Sequence, residues 1–157
     1  MVTPREHRET IEELMKSFSN EYYIYGPKLF DQRLHEEKLR ADVMNTAFTY
    51  LEIAFDELFV PDLDHADLKS LWRTIMRGMT MLLRGSDVKG FLHEDRGLGI
   101  LFLDSLNAPA ERLLGNLRRY LAEERLEDRL NPRLLEHGFP YVVYKGKRMP
   151  VDGEAKA

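Results

Sequence analysis

Between Leu39 and Phe59 the apolar residues Val43, Met44, Ala47, Leu51, Ala54, Phe55 and Leu58 recur at steps of three and four. Residues so spaced stack on one face of an α-helix, so the row predicts a long amphipathic helix. Val60-Pro61-Asp62 would stop it. A second row follows at once: Leu68, Leu71, Trp72, Ile75, Met76, Met79, Leu82 and Leu83. Asp64 is placed to cap that helix, Asp67 suits its first turn, and Arg84-Gly85 suits its end. Apolar stripes of this length must be buried against other elements, which points to helix-on-helix packing.

Shorter signals fill the remainder. Thr3-Pro4 reads as a cap and first helical position, with Ile11, Leu14, Met15 and Phe18 at helical spacing and an end before Gly26-Pro27. Residues 28–38 carry Leu29, Phe30 and Leu34, a short helical stretch. Ser86-Asp87 would start another, with Val88, Phe91 and Leu92. The run GILFLD at 99–104 is buried strand or buried helical turn, since an apolar run has no periodicity to separate the two. Asn107 and Pro109 open a helix faced by Leu113, Leu114, Leu117, Tyr120 and Leu121, and Asn131-Pro132 starts a short turn. Finally, PYVVYKGKRMPV reads as a β-hairpin about a Lys-Gly-Lys turn.

The fold expectation is therefore mainly α: a helical bundle of four or five main helices with a small C-terminal β-hairpin, joined by a short strand near 99–104 if that run is extended. One domain would span residues 1–152, with 153–157 a flexible tail.

Composition removes several classes of function. The 157 residues are 43% hydrophobic and 32% charged, enough of each to fold around a core. The net charge of −4 argues against a broad nucleic-acid surface. With no cysteine there is no disulfide, thiolate metal site or cysteine nucleophile, which fits a cytoplasmic protein. No apolar run reaches the length of a membrane span, and the charged N-terminus lacks a signal-peptide core.

Motifs for catalysis are missing as well. Gly97-Leu98-Gly99 lacks the third glycine and preceding strand of a dinucleotide fingerprint. No nucleophile elbow or helical zinc motif occurs, so no residue is assigned a catalytic role and no cofactor is expected. Four groups remain as candidates. His93, Glu94 and Asp95 unite the residue types that ligate metals, just before the apolar run. Lys69, Arg73 and Arg77 form an i, i+4 row suited to phosphates or an acidic partner. Phe48 and Tyr50 flank the main stripe of their segment, which suggests a second buried contact, and Lys145, Lys147 and Arg148 make a basic hairpin tip.

Together these features favour a small regulatory or adaptor protein that acts through protein–protein contacts at Phe48, Tyr50, Lys145, Lys147 and Arg148, with a homodimer as one form of that contact. Two alternatives are a metal- or ligand-binding sensor or enzyme built on His93, Glu94 and Asp95, and a weak nucleic-acid binder using Lys69, Arg73 and Arg77. No membrane partner is expected.

Overall fold

The computed structural model describes residues 1–17, 23–84, 86–103 and 108–146. Helix α1 (Pro4–Met15) starts at Thr3, whose hydroxyl accepts from the Glu6 N–H while Glu6 accepts from the Thr3 N–H, a reciprocal capping box. Helix α2 (Pro27–Met44) ends at Asn45, which adopts the left-handed conformation with φ 56°. Strand β1 (Ala47–Ala54) runs directly into the single turn α3 (Phe55–Leu58). Helix α4 (His65–Leu82) is capped by Asp64, whose carboxylate accepts from the Ala66 N–H. Strands β2 (Val88–Phe91) and β3 (Gly97–Leu103) form a hairpin. Helix α5 (Ala108–Glu123), the short α6 (Pro132–His137) and strand β4 (Tyr141–Lys145) complete the described chain.

All four strands belong to one antiparallel sheet in the order β2-β3-β1-β4. Helix α4 links β1 to β2, and α5 lies between β3 and β4 in the chain. This is the split β-α-β arrangement, in which each helix crosses from one strand to a parallel strand with one antiparallel strand between them. Helices α1, α4 and α5 cover one face, where Ile11, Leu71, Trp72, Ile75, Leu113 and Leu117 pack on Leu51, Ile53, Leu98, Ile100 and Phe102. Helix α2 covers the other face, where Phe30 and Ala41 pack on Phe48, Val88, Leu101 and Leu103. Glycine matters here at Gly90 and Gly99, which face each other on β2 and β3. A Cβ on Gly90 would stand 2.1 Å from the Phe30 ring, and one on Gly99 2.4 Å, so only glycine lets α2 sit this close to the sheet.

The expected helical bundle with a small C-terminal hairpin is thereby corrected to an α+β fold. The row from Leu39 to Phe59 is three elements rather than one helix. Its first part belongs to α2, its middle is β1, and its end is α3. The helical spacing arose because β1 is the inner strand between β3 and β4 and is covered on both faces. A strand buried on both sides loses the apolar–polar alternation that would mark it. The segment after Ser86, expected to be helical, is β2. The run 99–104 falls in β3 up to Leu103 and pairs with β1 and β2, not with the C-terminal strand. Strand β4 instead joins the sheet through β1. The second arm of the expected hairpin, with Lys147, Arg148 and Pro150, lies outside the described residues, as do the tail, Phe18, Tyr22 and Asn107.

Candidate functional site

The polar knot at 93–96 is the turn of the β2–β3 hairpin. Leu92 donates to the Gly97 carbonyl at 2.9 Å and Arg96 to the His93 carbonyl at 3.2 Å, leaving Glu94 and Asp95 as the two central residues. Both are left-handed, with φ 61° and 56°. Such a turn matches the twist of the flanking strands but is usually filled by Asn-Gly, and a side chain there costs about 1–2 kcal/mol. Side chains brace the turn from both sides. Asp95 accepts from Arg8 of α1 at 2.8 Å, and Arg8 lies over the Phe91 ring, 4.9 Å from its centroid. His93 pairs through Nε2 with Asp31 of α2. Arg96 reaches Glu52 of β1 at 3.6 Å. The three residues grouped in the sequence therefore diverge: His93 turns to α2, Asp95 to α1, and Glu94 is exposed. Among the described residues no three His, Asp or Glu side chains are placed to hold one metal ion.

The basic row on α4 divides in the same manner. Lys69 pairs with Glu13 of α1 at 3.2 Å, and Arg77 approaches Glu124, just past α5, at 4.0 Å. Arg73 stands exposed between them. At such exposure each pair contributes at most about 1 kcal/mol.

Phe48 and Tyr50 lie on the α2 face of β1. Phe48 is 3% exposed and stacks on Tyr144 of β4 with ring centroids 5.2 Å apart. Tyr50 is half-buried, and its hydroxyl donates to Glu52; burial first, and that hydrogen bond second, raise its phenol above the usual tyrosine value. Tyr144 in turn donates to the Asp42 carboxylate of α2 at 3.0 Å. The structure thus joins two groups that the sequence held apart, because β4 lies beside β1 with Phe48 opposite Tyr144 and Ala47 opposite Lys145.

The two edges of the sheet are treated differently. Along β2, Tyr25 donates to the Lys89 carbonyl at 2.9 Å and accepts from the Phe91 N–H at 2.8 Å, so the outward groups are covered. Along β4 the direction of each peptide follows from the ladder. Gly146 donates to Thr46 directly opposite it at 2.9 Å, so the inward-bonding residues of β4 are the even ones, Val142 and Tyr144. Tyr141, Val143 and Lys145 direct their N–H and C=O groups outward. Among the described residues no strand pairs with this edge. Apolar side chains are exposed beside it: Val142 at 63% and Tyr141 at 43% on the strand, and Val43 at 73% and Met44 at 63% near the end of α2. A groove of about 270 Å³ between α5 and Tyr141, floored by Leu114 and Phe139, adjoins the same edge.

One buried ionisable group escaped notice in the sequence. His7 of α1 is 4% exposed, accepts at Nδ1 from the Trp72 indole N–H at 3.0 Å, and stacks between Phe55 and Phe59 at 5.3 and 5.5 Å. Desolvation pushes its pKa down to about 4, so the imidazole is neutral and its proton sits on Nε2. The available signal was its spacing, since His7, Ile11 and Leu14 share one helix face.

Among the described residues no helix is long and apolar enough to cross a membrane. No family model and no curated protein matches the sequence. Among solved structures, a DGC protein from Thermotoga maritima is similar over 80% of this chain and 82% of that one, with 12% identity and a TM-score of 0.50. The diguanylate cyclase SiaD of Pseudomonas aeruginosa, solved in complex with its activator SiaC, aligns over 88% of this chain and 55% of that one, with 14% identity and a TM-score of 0.47. The likeness to the Thermotoga protein is one of fold, and it agrees with a layered α+β chain rather than a bundle.

Proposed function

We propose that this chain is a small regulatory or adaptor protein that works by pairing the outer edge of its sheet with another protein chain. One observation carries the reading: Tyr141 and Val142 expose apolar side chains on the two faces of a strand whose odd-numbered residues direct their backbone groups outward. An open edge of this kind is a template for strand addition, which natural proteins otherwise cover or charge. The β2 edge is covered by Tyr25, whereas among the described residues no strand pairs with the β4 edge. The ionisable residues at the hairpin turn favour the same view from the other side. His93, Asp95 and Arg96 hold the turn to α2, α1 and β1 instead of converging on a reacting atom. Lys145 at the end of the strand, with Lys147 and Arg148 next in sequence, would bias the choice of partner toward acidic strands.

A photo-crosslinking residue placed at Val142, with the same residue at Arg73 as the control, tests this reading in cell extract. Protein adducts are expected at position 142, weakened by Val143→Pro, and not at position 73. Absence of any protein adduct at 142, or equal adducts at both positions, would refute the reading.

A further inference from the structure

We infer that the recess beside His7 binds a small uncharged molecule, no larger than a single ring, whose nitrogen or oxygen accepts a hydrogen bond from the imidazole Nε2–H. This goes beyond the edge-pairing reading and does not depend on it. The hydrogen bonds of His7 supply the first argument. Its Nδ1 accepts from the Trp72 indole N–H at 3.0 Å, which leaves the proton of the neutral ring on Nε2. Among the described residues no group accepts from that Nε2–H. The atom is nevertheless not sealed. Among the described residues the side-chain polar atom that is both unpaired and shut off from solvent is Arg33 Nε. His7 as a whole is only 4% exposed, so its second donor is costly to leave without an acceptor.

Geometry turns that donor toward the recess. The imidazole lies against Phe55 and Phe59, and its Nδ1 edge meets Trp72, so the edge that carries Nε2 is the one left over. His7 lines a recess of about 130 Å³ together with Val2, Phe59, Val60, Pro61 and Leu63. The recess thus lies between the start of α1 and the link from α3 to α4. An engineered apolar cavity of about 150 Å³ takes up benzene, so a single ring is the size that fits.

Charge and polarity set the class of ligand. The exposed Asp56 borders the recess and Glu6 adjoins His7 in the chain, so an anion is repelled. A cation has no lone pair to offer the N–H. Water satisfies the donor but leaves the apolar walls wet, whereas a ring with one acceptor atom covers both. A pyridine-type nitrogen or a ring carbonyl meets these conditions.

Pyridine and benzene, which differ at one ring position, test this by NMR titration of the full chain at neutral pH, where pyridine is uncharged. Saturable shifts of the Trp72 indole N–H and of the Val2 and Val60 methyl groups are expected, with pyridine bound at least about tenfold more tightly than benzene. Val2→Phe, at a partly exposed position, fills the recess and should abolish the pyridine shifts. His7→Phe removes the donor and should bring pyridine down to the affinity of benzene. If that variant misfolds, Val2→Phe and the ratio of the two affinities in the unaltered chain decide. No saturable shift with pyridine would overturn the inference, as would equal affinities for the two rings in the unaltered chain, or pyridine binding that persists in Val2→Phe.

Discussion

Trp72→Ala is expected to lower the unfolding free energy by about 4–5 kcal/mol, a large share of the roughly 5–15 kcal/mol that holds a domain folded. Trp72 has no exposed surface and stands edge-on to His7, Phe55 and Phe59, with centroids 5.9, 5.5 and 5.7 Å away. It is where α4 meets α1 and α3 over the sheet, so the cavity left by truncation has walls on several elements and cannot easily collapse. The loss also has a polar part. The indole N–H is the donor to His7 Nδ1, and without it a buried acceptor is left unpaired. Trp72→Phe should therefore recover much of the packing but not that bond, falling about 2 kcal/mol below the unaltered protein. Urea unfolding at neutral pH measures both. A loss under about 2 kcal/mol for Trp72→Ala would mean that this cage is not the centre of the core.

Acid should destabilise the fold through His7 at a pH where free carboxylates are still ionised. The pKa of His7 falls from 6.5 to about 4 on folding, chiefly because burial penalises the imidazolium. The unfolded chain thus takes up this proton first. Stability from the neutral ring is complete above about pH 6.5 and is lost progressively as the pH falls toward 4, where the loss levels off. The full difference corresponds to roughly 3 kcal/mol. His7→Gln removes the titration and keeps an acceptor for Trp72, so its stability should change less between pH 6.5 and 4 than that of the unaltered chain. Equal pH dependence in the two proteins would show that His7 is not held neutral.

How much of this could be read from the sequence depends on the element. Helices α1 and α4 were legible because their caps are local chemistry: Thr3 with Pro4, and Asp64, do in the structure what those residue types do in general, while Asn131 with Pro132, read as the start of a short turn, caps the short helix α6. Strand β1 was not, because its burial on both faces let Ala47, Leu51, Ala54 and Phe55 pass for a helical row. Two signals did oppose that helix. Asn45 can end a helix in the left-handed conformation, and AFTYLEIA is rich in β-branched and aromatic residues. Strand β2 has four residues including a glycine, too few for any period to show. The candidate surfaces fared similarly. The neighbourhood of His93, Glu94 and Asp95 was visible as a polar turn, but not that His93 and Asp95 would be bound to different elements. Phe48 with Tyr50, and Lys145 with Lys147 and Arg148, were picked out as separate groups, and only the pairing of β1 with β4 brings Lys145 to the strand beside the first two. The outward direction of the Tyr141 and Val143 backbone groups has no sequence signature, since the direction of a backbone N–H is set by ladder parity and not by side-chain type.

Residue-resolved amide hydrogen exchange along β4 tests the central claim most directly. In dilute protein the amides of Val142 and Tyr144, bonded to β1, should be protected nearly as well as the core, while that of Val143 exchanges fast. A Val143 amide as protected as that of Val142 in dilute solution would mean that the edge is already covered within one chain, and the proposed pairing surface would not exist.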